Sequence, residues 1–129
     1  MNYDKADTAF SKYVRLRDSK DGIATCISCR TRDHWSKMTV GHFIKRRHKT
    51  TRLYEKNGNT QCWDCNRREE SDKNLSTKMR HAEGLIKKYG PGIIAELTQV
   101  RNSGEKFMQH DIDRIEKHYK ERALELEAA

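Results

Sequence analysis

The chain has 129 residues, of which 34% are hydrophobic and 36% are charged, and its net charge is +8. No apolar run of about 18 residues and no secretory signal segment is visible, so we expect neither a membrane-spanning nor an exported protein. The hydrophobic core must be small, and chains of this kind often need a metal or a partner subunit for stability. The basic excess favours a polyanionic partner such as nucleic acid.

The first predicted element is an amphipathic helix in KADTAFSKYVRLRD, residues 5–18. Phe10 and Tyr13 lie on one face at helical spacing, and Asp4 is the expected N-cap. A turn follows, and Gly22 is the position at which we expect a positive φ.

Residues 23–65 show no helical period. The stretch KMTVGHFI, residues 37–44, alternates well enough to be a strand. The stretch TTRLYEKNGNTQC, residues 50–62, is interpreted as a second strand and a turn, and its Asn57-Gly58 pair supports that turn.

Helical signals resume at Asn66, where NRREESDKN could form a short helix. A second helix is predicted from an N-cap at Ser76 to Gly90, and a third starts at Pro91. The second helix has an apolar stripe formed by Met79, Ala82, Leu85, Ile86 and Tyr89. A long charged helix is predicted over 109–127, and its near-heptad seam could pack on the domain or pair with a second copy.

The four cysteines form two Cys-x-x-Cys pairs, Cys26 with Cys29 and Cys62 with Cys65. Thiolates at this spacing can bind one zinc ion at about 2.3 Å, and two pairs complete a closed tetrahedron without an open position for water. We therefore predict a structural zinc site. A thioredoxin-like redox site is the competing interpretation, but two separated pairs without a βαβ pattern argue against it.

A histidine and an asparagine lie beside these pairs. His42 falls on the strand predicted between the pairs, and Asn66 directly follows the last cysteine. If zinc fixes both elements, the two side chains could face each other across a groove. A neutral imidazole can take a proton from water, and an amide oxygen suits a hard divalent cation such as Mg²⁺ or Mn²⁺.

The motifs VGHF, EKNGNTQC and CWDCN resemble the HNH, or ββα-metal (His-Me finger), endonucleases. That resemblance implies that His42 is the general base, that Asn57 orients the histidine loop and that Asn66 binds the catalytic metal. The asparagine directly after a zinc cysteine is similar to the arrangement in the phage junction-resolving enzyme endonuclease VII.

A narrower resemblance covers most of the chain. The segments FSKYVRLRD, CISC, GHFIKRRHKTTRLYEKN, QCWDCN and LIKKYG resemble the NinG, or Rap, family of lambdoid-phage recombination proteins. It implies a recombination nuclease that acts on branched DNA, such as Holliday junctions and D-loops, in the cytoplasm of the host cell.

The sequence departs from many HNH enzymes at one position, since Gly41 stands where an aspartate or histidine usually provides a second metal ligand. Either the metal relies on Asn66 and water, or another side chain substitutes. His48 is our first choice as that side chain, and Glu69 and Glu70 are further candidates. The other functions remain open: Asn57 could be a simple turn residue, with Asn59 as the competing asparagine, and Asn66 could be a helix N-cap. No function is assigned to His34, His81, His110 or His118.

A run of basic residues follows His42 directly, and we expect it to line the groove and bind phosphates. The predicted DNA-binding residues are Lys45, Arg46, Arg47, Lys49, Arg52, Arg67 and Arg68. Arg52 could instead stabilise transition-state charge. Trp35 and Trp63 are expected to pack around the cysteines.

These features predict an α+β fold: a small ββα-metal (HNH-like) core pinned by a four-cysteine zinc site, with an N-terminal helix and a helical C-terminal half. We expect a single nuclease domain over 1–129, with an N-terminal helix (1–22), a zinc and ββα-metal core (23–75) and a helical extension (76–129). The alternative is a non-enzymatic zinc module that binds branched or single-stranded nucleic acid, and an RNA-binding protein is a more distant possibility. A homodimer through the C-terminal helix would suit an enzyme that cuts two strands.

Overall fold

The N-terminal helix α1, Asp4–Arg17, has acidic residues in its first turn and basic residues in its last, as the helix dipole favours. The computed structural model describes residues 1–71 and 75–129. The predicted N-cap was wrong by one residue, because Tyr3 is the N-cap and Asp4 is already helical. The side-chain oxygen of Asn2 accepts a hydrogen bond from the Asp4 N–H at 2.8 Å.

Three short antiparallel strands follow α1: β1 (Ser19–Lys20), β2 (Ile23–Thr25) and β3 (Arg32–His34). Asp21 (φ 53°) and Gly22 (φ 81°) turn β1 into β2, which confirms the expected turn. The strands themselves were not predicted, because two or three mostly exposed residues show no alternating apolar pattern.

A separate antiparallel pair is formed by β4 (Thr39–His42) and β5 (Gly58–Gln61). His42 lies opposite Gly58 at the end of this pair. The strand predicted over 37–44 is therefore confirmed in its central part, and it places His42 at its last residue.

The loop between β4 and β5 differs from the prediction. It contains a short helix, α2 (Lys49–Arg52), and a 3₁₀ turn, Glu55–Asn57, where part of a strand was expected. The predicted Asn-Gly turn is also wrong, because Gly58 has φ −107° and begins β5. Glycine is required there for space, since a Cβ would overlap the ring of Phe10.

Helix α3, Trp63–Glu70, begins earlier than predicted because Cys62 is its N-cap and its sulfur accepts from the Cys65 N–H. Asn66 therefore lies inside the first turns and is not the N-cap. The end of the predicted helix, residues 72–74, lies outside the described residues.

Helix α4, Leu75–Tyr89, differs from the prediction in its start and in its buried face. Ser76 is a helical residue and not the N-cap. The buried residues are Thr77, His81 and Leu85, whereas Met79 and Ile86, two members of the predicted stripe, are 63% and 41% exposed. The apolar pattern pointed to the wrong face because this helix buries a threonine and a histidine against its neighbours.

Two further helices complete the chain: α5 (Ile93–Arg101), with Gly92 rather than Pro91 before its first residue, and α6 (Gln109–Ala128). Helix α6 packs along α1 and buries Ile112, Tyr119 and Ala123 there. Of the two predicted uses of the near-heptad seam, packing on the rest of the chain is therefore the one that the structure shows. Within the described residues, no helix is both long and apolar enough to cross a membrane.

The main apolar core lies between α1 and α6, and Phe10 links it to the β4–β5 pair. The Phe10 ring meets that of Tyr119 edge-on at 5.0 Å between centroids and that of His42 at 5.7 Å. The Tyr119 hydroxyl donates to the Leu53 carbonyl at 2.7 Å. Helix α1 is therefore held between α6 on one side and the strand bearing His42 on the other.

Tyr119→Phe is expected to lower the free energy of unfolding by about 1–2 kcal/mol, because it leaves the Leu53 carbonyl without its buried donor. The measurement is chemical denaturation of the zinc-loaded protein. Tyr3→Phe is the matched control, since Tyr3 is also buried but its hydroxyl has no hydrogen bond within the described residues. Equal effects of the two substitutions would contradict this interpretation.

Candidate functional site

The four cysteine sulfurs form one cluster, in which all lie within 4.8 Å of one another. The sulfurs of Cys29 and Cys62 are 3.7 Å apart. Four thiolates about 2.3 Å from a tetrahedral zinc ion would lie about 3.8 Å from one another, so the spacing fits zinc. Backbone N–H groups at 3.4 Å also point to the Cys26 and Cys62 sulfurs.

The cysteine cluster connects two parts of the fold that are distant in sequence. The first pair lies in the turn between β2 and β3, and the second joins β5 to α3. The Ile27 N–H also donates to the Thr60 carbonyl at 2.9 Å, which fixes the first turn on β5. Burial alone would raise the pKa of the Cys29 thiol, but hydrogen bonds from Thr31 and the other cysteines lower it to about 6.

A cleft of about 500 Å³ lies beside β4 and α3. It is lined by residues of α1, β4, the following loop and α3, namely Ser11, Arg15, Met38, Thr39, Val40, His42, Lys45, Arg46, Asn66, Glu69 and Glu70. The structure thus brings together His42 and Asn66, the two residues that sequence analysis placed across a groove. Three basic side chains, Arg15, Lys45 and Arg46, and two acidic ones, Glu69 and Glu70, line the same cleft.

The His42 imidazole is held in one tautomer. Its Nε2–H donates to the Arg52 carbonyl at 2.9 Å, which leaves Nδ1 as the nitrogen with a free lone pair. Burial lowers the pKa of His42 from its usual 6.5 to about 4, against the opposing effect of this hydrogen bond. His42 is therefore neutral at pH 7 and can accept a proton at Nδ1.

Asn57 closes the loop that follows His42. It is fully buried, and its side-chain oxygen accepts from the Ile44 N–H at 2.9 Å. Its amide nitrogen donates to the carbonyls of Ile44 and Thr51 at 3.0 and 3.1 Å. The Asn57 carbonyl also accepts from the Phe43 N–H at 3.1 Å. This asparagine is therefore placed to orient the histidine loop.

Asn59, the competing asparagine, is buried on a different side of β5. Its side-chain oxygen accepts from Lys88 at 2.6 Å, from Tyr89 at 3.1 Å and from Arg17 at 3.2 Å. These contacts join β5 to α1 and α4. The Asn59 amide nitrogen donates to the Lys56 carbonyl at 3.1 Å, so this side chain contacts only the far end of the loop that follows His42.

Asn66 points its amide nitrogen towards β4, where it donates to the Thr39 hydroxyl at 3.2 Å and the Val40 carbonyl at 3.4 Å. Its side-chain oxygen has no hydrogen-bond partner in the part of the chain that the structure describes. Because an amide oxygen is a suitable ligand for Mg²⁺ or Mn²⁺, Asn66 fits the predicted metal site.

The space beside Gly41 explains the departure from the usual HNH pattern. A Cβ at position 41 would overlap the side chain of Gln61, the residue at the end of β5. Gln61 is fully buried and donates to Ser28 at 2.9 Å and to Glu69 at 3.1 Å. An aspartate or histidine at position 41 would therefore require the end of this glutamine side chain to move.

Glu69 is bound by residues from β5 and α4. Its carboxylate accepts from Gln61 and from the Nδ1–H of His81, the latter at 2.9 and 3.0 Å to its two oxygens. Burial alone would raise the pKa of Glu69, but His81 and the nearby Lys78 ammonium lower it. Sequence analysis missed His81, because a lone histidine inside an apparently apolar helix has no motif to mark it.

The remaining candidates for the second metal ligand lie in different places. Glu70 is exposed, lines the cleft and has no ion pair or hydrogen bond within 1–71 and 75–129. Asn66 and Glu70 are four residues apart on α3 and so share one face. His48 instead precedes α2 as its N-cap and does not line the cleft.

Two of the predicted DNA-binding residues, Lys45 and Arg46, line the cleft. Arg15 of α1 joins them there, although sequence analysis assigned it only to an amphipathic helix. Arg52 does not line it: its guanidinium binds the Asp7 carboxylate at 3.0 and 2.5 Å, and this pairing raises its pKa.

The other basic residues are exposed outside the cleft: Arg47, Lys49, Arg67 and Arg68. Lys49 lies over the Tyr3 ring at 4.7 Å from its centroid, and Arg67 over that of Trp63 at 5.0 Å. Trp35 packs against the cysteine cluster as expected, but Trp63 is 61% exposed, so its predicted packing is wrong.

Comparison with protein-family models matches residues 2–128 to the family described as Bacteriophage Lambda NinG protein. Comparison with curated proteins and with solved structures gave no significant match.

Cys65→Ser is expected to abolish the cooperative unfolding transition of the protein at 25 °C. Structural zinc contributes about 10–16 kcal/mol of binding free energy in small zinc domains, which is as large as the stability of a whole domain. The measurements are zinc content per chain and circular dichroism during thermal unfolding. A purified wild-type protein without zinc, or a Cys65→Ser protein with an unchanged unfolding midpoint, would contradict the zinc assignment.

Proposed function

Because this chain belongs to the NinG family of bacteriophage proteins, we propose that it is a metal-dependent endonuclease that cleaves branched DNA. The observation that carries the proposal is the cleft in which His42 and Asn66 lie together beside Arg15, Lys45 and Arg46. A proton acceptor, a metal-binding oxygen and phosphate-binding cations are the groups that phosphodiester hydrolysis needs.

In this proposal β4, β5 and α3 form the ββα-metal unit of an HNH, or His-Me finger, nuclease. β4 ends at the proposed base, and α3 carries the metal-binding asparagine directly after the last of the four cysteines. The zinc ion would have no chemical function. It would fix the distance between β5 and α3, and so between the two catalytic groups.

His42 acts as the general base. Its Nδ1 takes a proton from a water molecule as the water oxygen forms a bond to phosphorus, and the bond from phosphorus to one sugar oxygen breaks. The leaving sugar oxygen takes a proton from solvent water, so the products are a phosphate monoester and a free hydroxyl group. The Arg52 carbonyl keeps the other proton of the imidazole on Nε2, so the base is ready without a change of tautomer.

The catalytic cation, Mg²⁺ or Mn²⁺, would be held by the Asn66 side-chain oxygen and a carboxylate of the same helix face. Glu70 is the better candidate, since the Glu69 carboxylate already accepts from Gln61 and His81. When bound, the cation would stabilise negative charge on the phosphate and on the leaving oxygen. Glu70 thus replaces His48 in the proposed site.

DNA would enter along the basic wall of the cleft. Lys45 and Arg46 lie on the loop after His42, and Arg15 faces them from α1, so phosphates on either side of the cut strand would meet cations. Specificity for branched DNA rests on the family resemblance. Ile112, Tyr119 and Ala123 of α6 are already buried within this chain, so a second protomer would have to bind a different face of that helix.

His42→Ala is expected to lower the cleavage rate of a labelled four-way junction by about 100-fold or more, because general base catalysis typically contributes 10²- to 10⁴-fold. Asn66→Ala should also lose activity and require more Mg²⁺ for what remains. The measurement is cleavage of four-way junction, D-loop and linear duplex with Mg²⁺, Mn²⁺ or EDTA. His118→Ala, which changes an exposed histidine of α6, is the control and should cut normally.

Two results would contradict the proposal. Cutting that survives His42→Ala would mean that the active site lies elsewhere. Tight binding of branched DNA by the wild-type protein, with no cutting in any metal, would favour the non-enzymatic zinc module.

The low pKa of His42 predicts a specific pH behaviour in the DNA-free protein. Since the folded pKa is about 4 and the usual value is 6.5, the ring stays neutral as pH falls from 8 to 5.5. The NMR signals of the His42 ring should therefore not shift in this range. The range ends at pH 5.5 because more acidic conditions release zinc from thiolates. A titration midpoint between 6 and 7 would contradict the burial and hydrogen bonding described for this ring.

A further inference from the structure

Lys78 of α4 contacts two parts of the cleft at once. Its ammonium donates to the Phe43 carbonyl and lies 3.6 Å from a carboxylate oxygen of Glu69. It also lies over the Phe43 ring, 3.8 Å from the centroid. A lysine ammonium has three donors on a single nitrogen, so one side chain can serve both partners.

The two partners of Lys78 are neighbours of the two proposed catalytic groups. Phe43 directly follows His42 at the end of β4, and Glu69 lies three residues after Asn66 on the same side of α3. Lys78 therefore spans from the strand that bears the base to the helix that bears the metal-binding asparagine.

Glu69 is itself a fixed point. Gln61 binds it from β5, and the fully buried His81 binds it from α4, one turn after Lys78. Movement of the Lys78 ammonium away from Phe43 would therefore leave the carbonyl without this donor, while Glu69 would stay in place. Phe43 is anchored as well, because its N–H donates to the Asn57 carbonyl at 3.1 Å, so Lys78 connects two fixed groups.

We propose that Lys78 is a positioning residue that, in addition to the zinc cluster, sets the separation between His42 and Asn66. This inference rests on the proposed nuclease function, and it adds a function for α4, which lies outside the ββα-metal unit. Helix α4 contacts both elements: Lys78 binds the Phe43 carbonyl at the end of β4, and His81 binds the Glu69 carboxylate of α3.

The electrostatics of the contact agree with this function. The Lys78 side chain is 36% exposed, and burial lowers its pKa while the Glu69 carboxylate opposes that effect. A lysine used only for DNA affinity would be better placed in full contact with solvent. This one is directed at protein oxygen atoms.

The test compares Lys78→Met with Lys87→Met. Both remove one positive charge from α4, but Lys87 is exposed and has no ion pair within the described residues, so it controls for the lost attraction to DNA. We expect kcat on a four-way junction to fall roughly 10- to 100-fold in Lys78→Met relative to Lys87→Met, as for a small misplacement of catalytic groups. The Kd for the same junction, measured in EDTA, should be equal in the two variants.

Lys78→Arg keeps the charge and the donors, so it should recover part of the lost kcat. Thermal unfolding of all variants with zinc bound separates this effect from a loss of folded protein. NMR provides a readout that does not depend on activity. The signals of the His42 ring and of the Asn66 side-chain amide should both shift in Lys78→Met, and neither should shift in Lys87→Met.

The outcomes separate this inference from the proposed function. If the wild-type protein cuts and the two methionine variants have equal kcat, Lys78 has no positioning function and the nuclease proposal stands. If the wild-type protein cuts nothing in any metal, the nuclease proposal fails, and the NMR shifts decide whether Lys78 still sets this distance. Unchanged His42 and Asn66 signals would overturn the inference.

Discussion

The convergence of four thiolates on one point is the constraint on which the rest of this fold depends. The cluster joins a turn near the N-terminus to the junction of β5 and α3. Only 34% of the residues are hydrophobic, so burial of apolar surface alone provides little stability. The free energy of zinc binding by thiolates, in contrast, is as large as the stability of a typical domain. A zinc ion bound there would cross-link these elements, and α3 carries Asn66, one of the residues that line the cleft.

The interior beside the zinc cluster is held by amide groups rather than by apolar packing. Asn57, Asn59 and Gln61 are all fully buried, and each binds a different neighbour. Buried amides are costly unless their hydrogen bonds are made, so each one specifies a single arrangement of the surrounding elements. The loop after His42, the contact with α4 and the anchoring of Glu69 all follow from these three side chains.

The zinc cysteines, α1, the centre of β4 and the long α6 were predictable, because fixed spacing and long periodic stretches report on local structure. The buried face of α4 was not, since it includes His81, whose hydrogen-bond partner is the Glu69 carboxylate of α3. The same holds for Arg52, which looks like one more phosphate-binding residue in its basic run. Asp7 binds it only in the folded protein, and because the two residues are 45 positions apart in sequence, no local pattern reveals the contact.

Phe10 touches His42 on one side and Tyr119 on the other, so the first and last helices of this chain meet at the proposed catalytic histidine. During translation α1 leaves the ribosome well before α6 does. The packing around His42 therefore stays incomplete until α6 has been made, and contacts this distant in sequence form late. The proposed DNA-cutting activity would thus be withheld from the nascent chain until α6 has packed on α1.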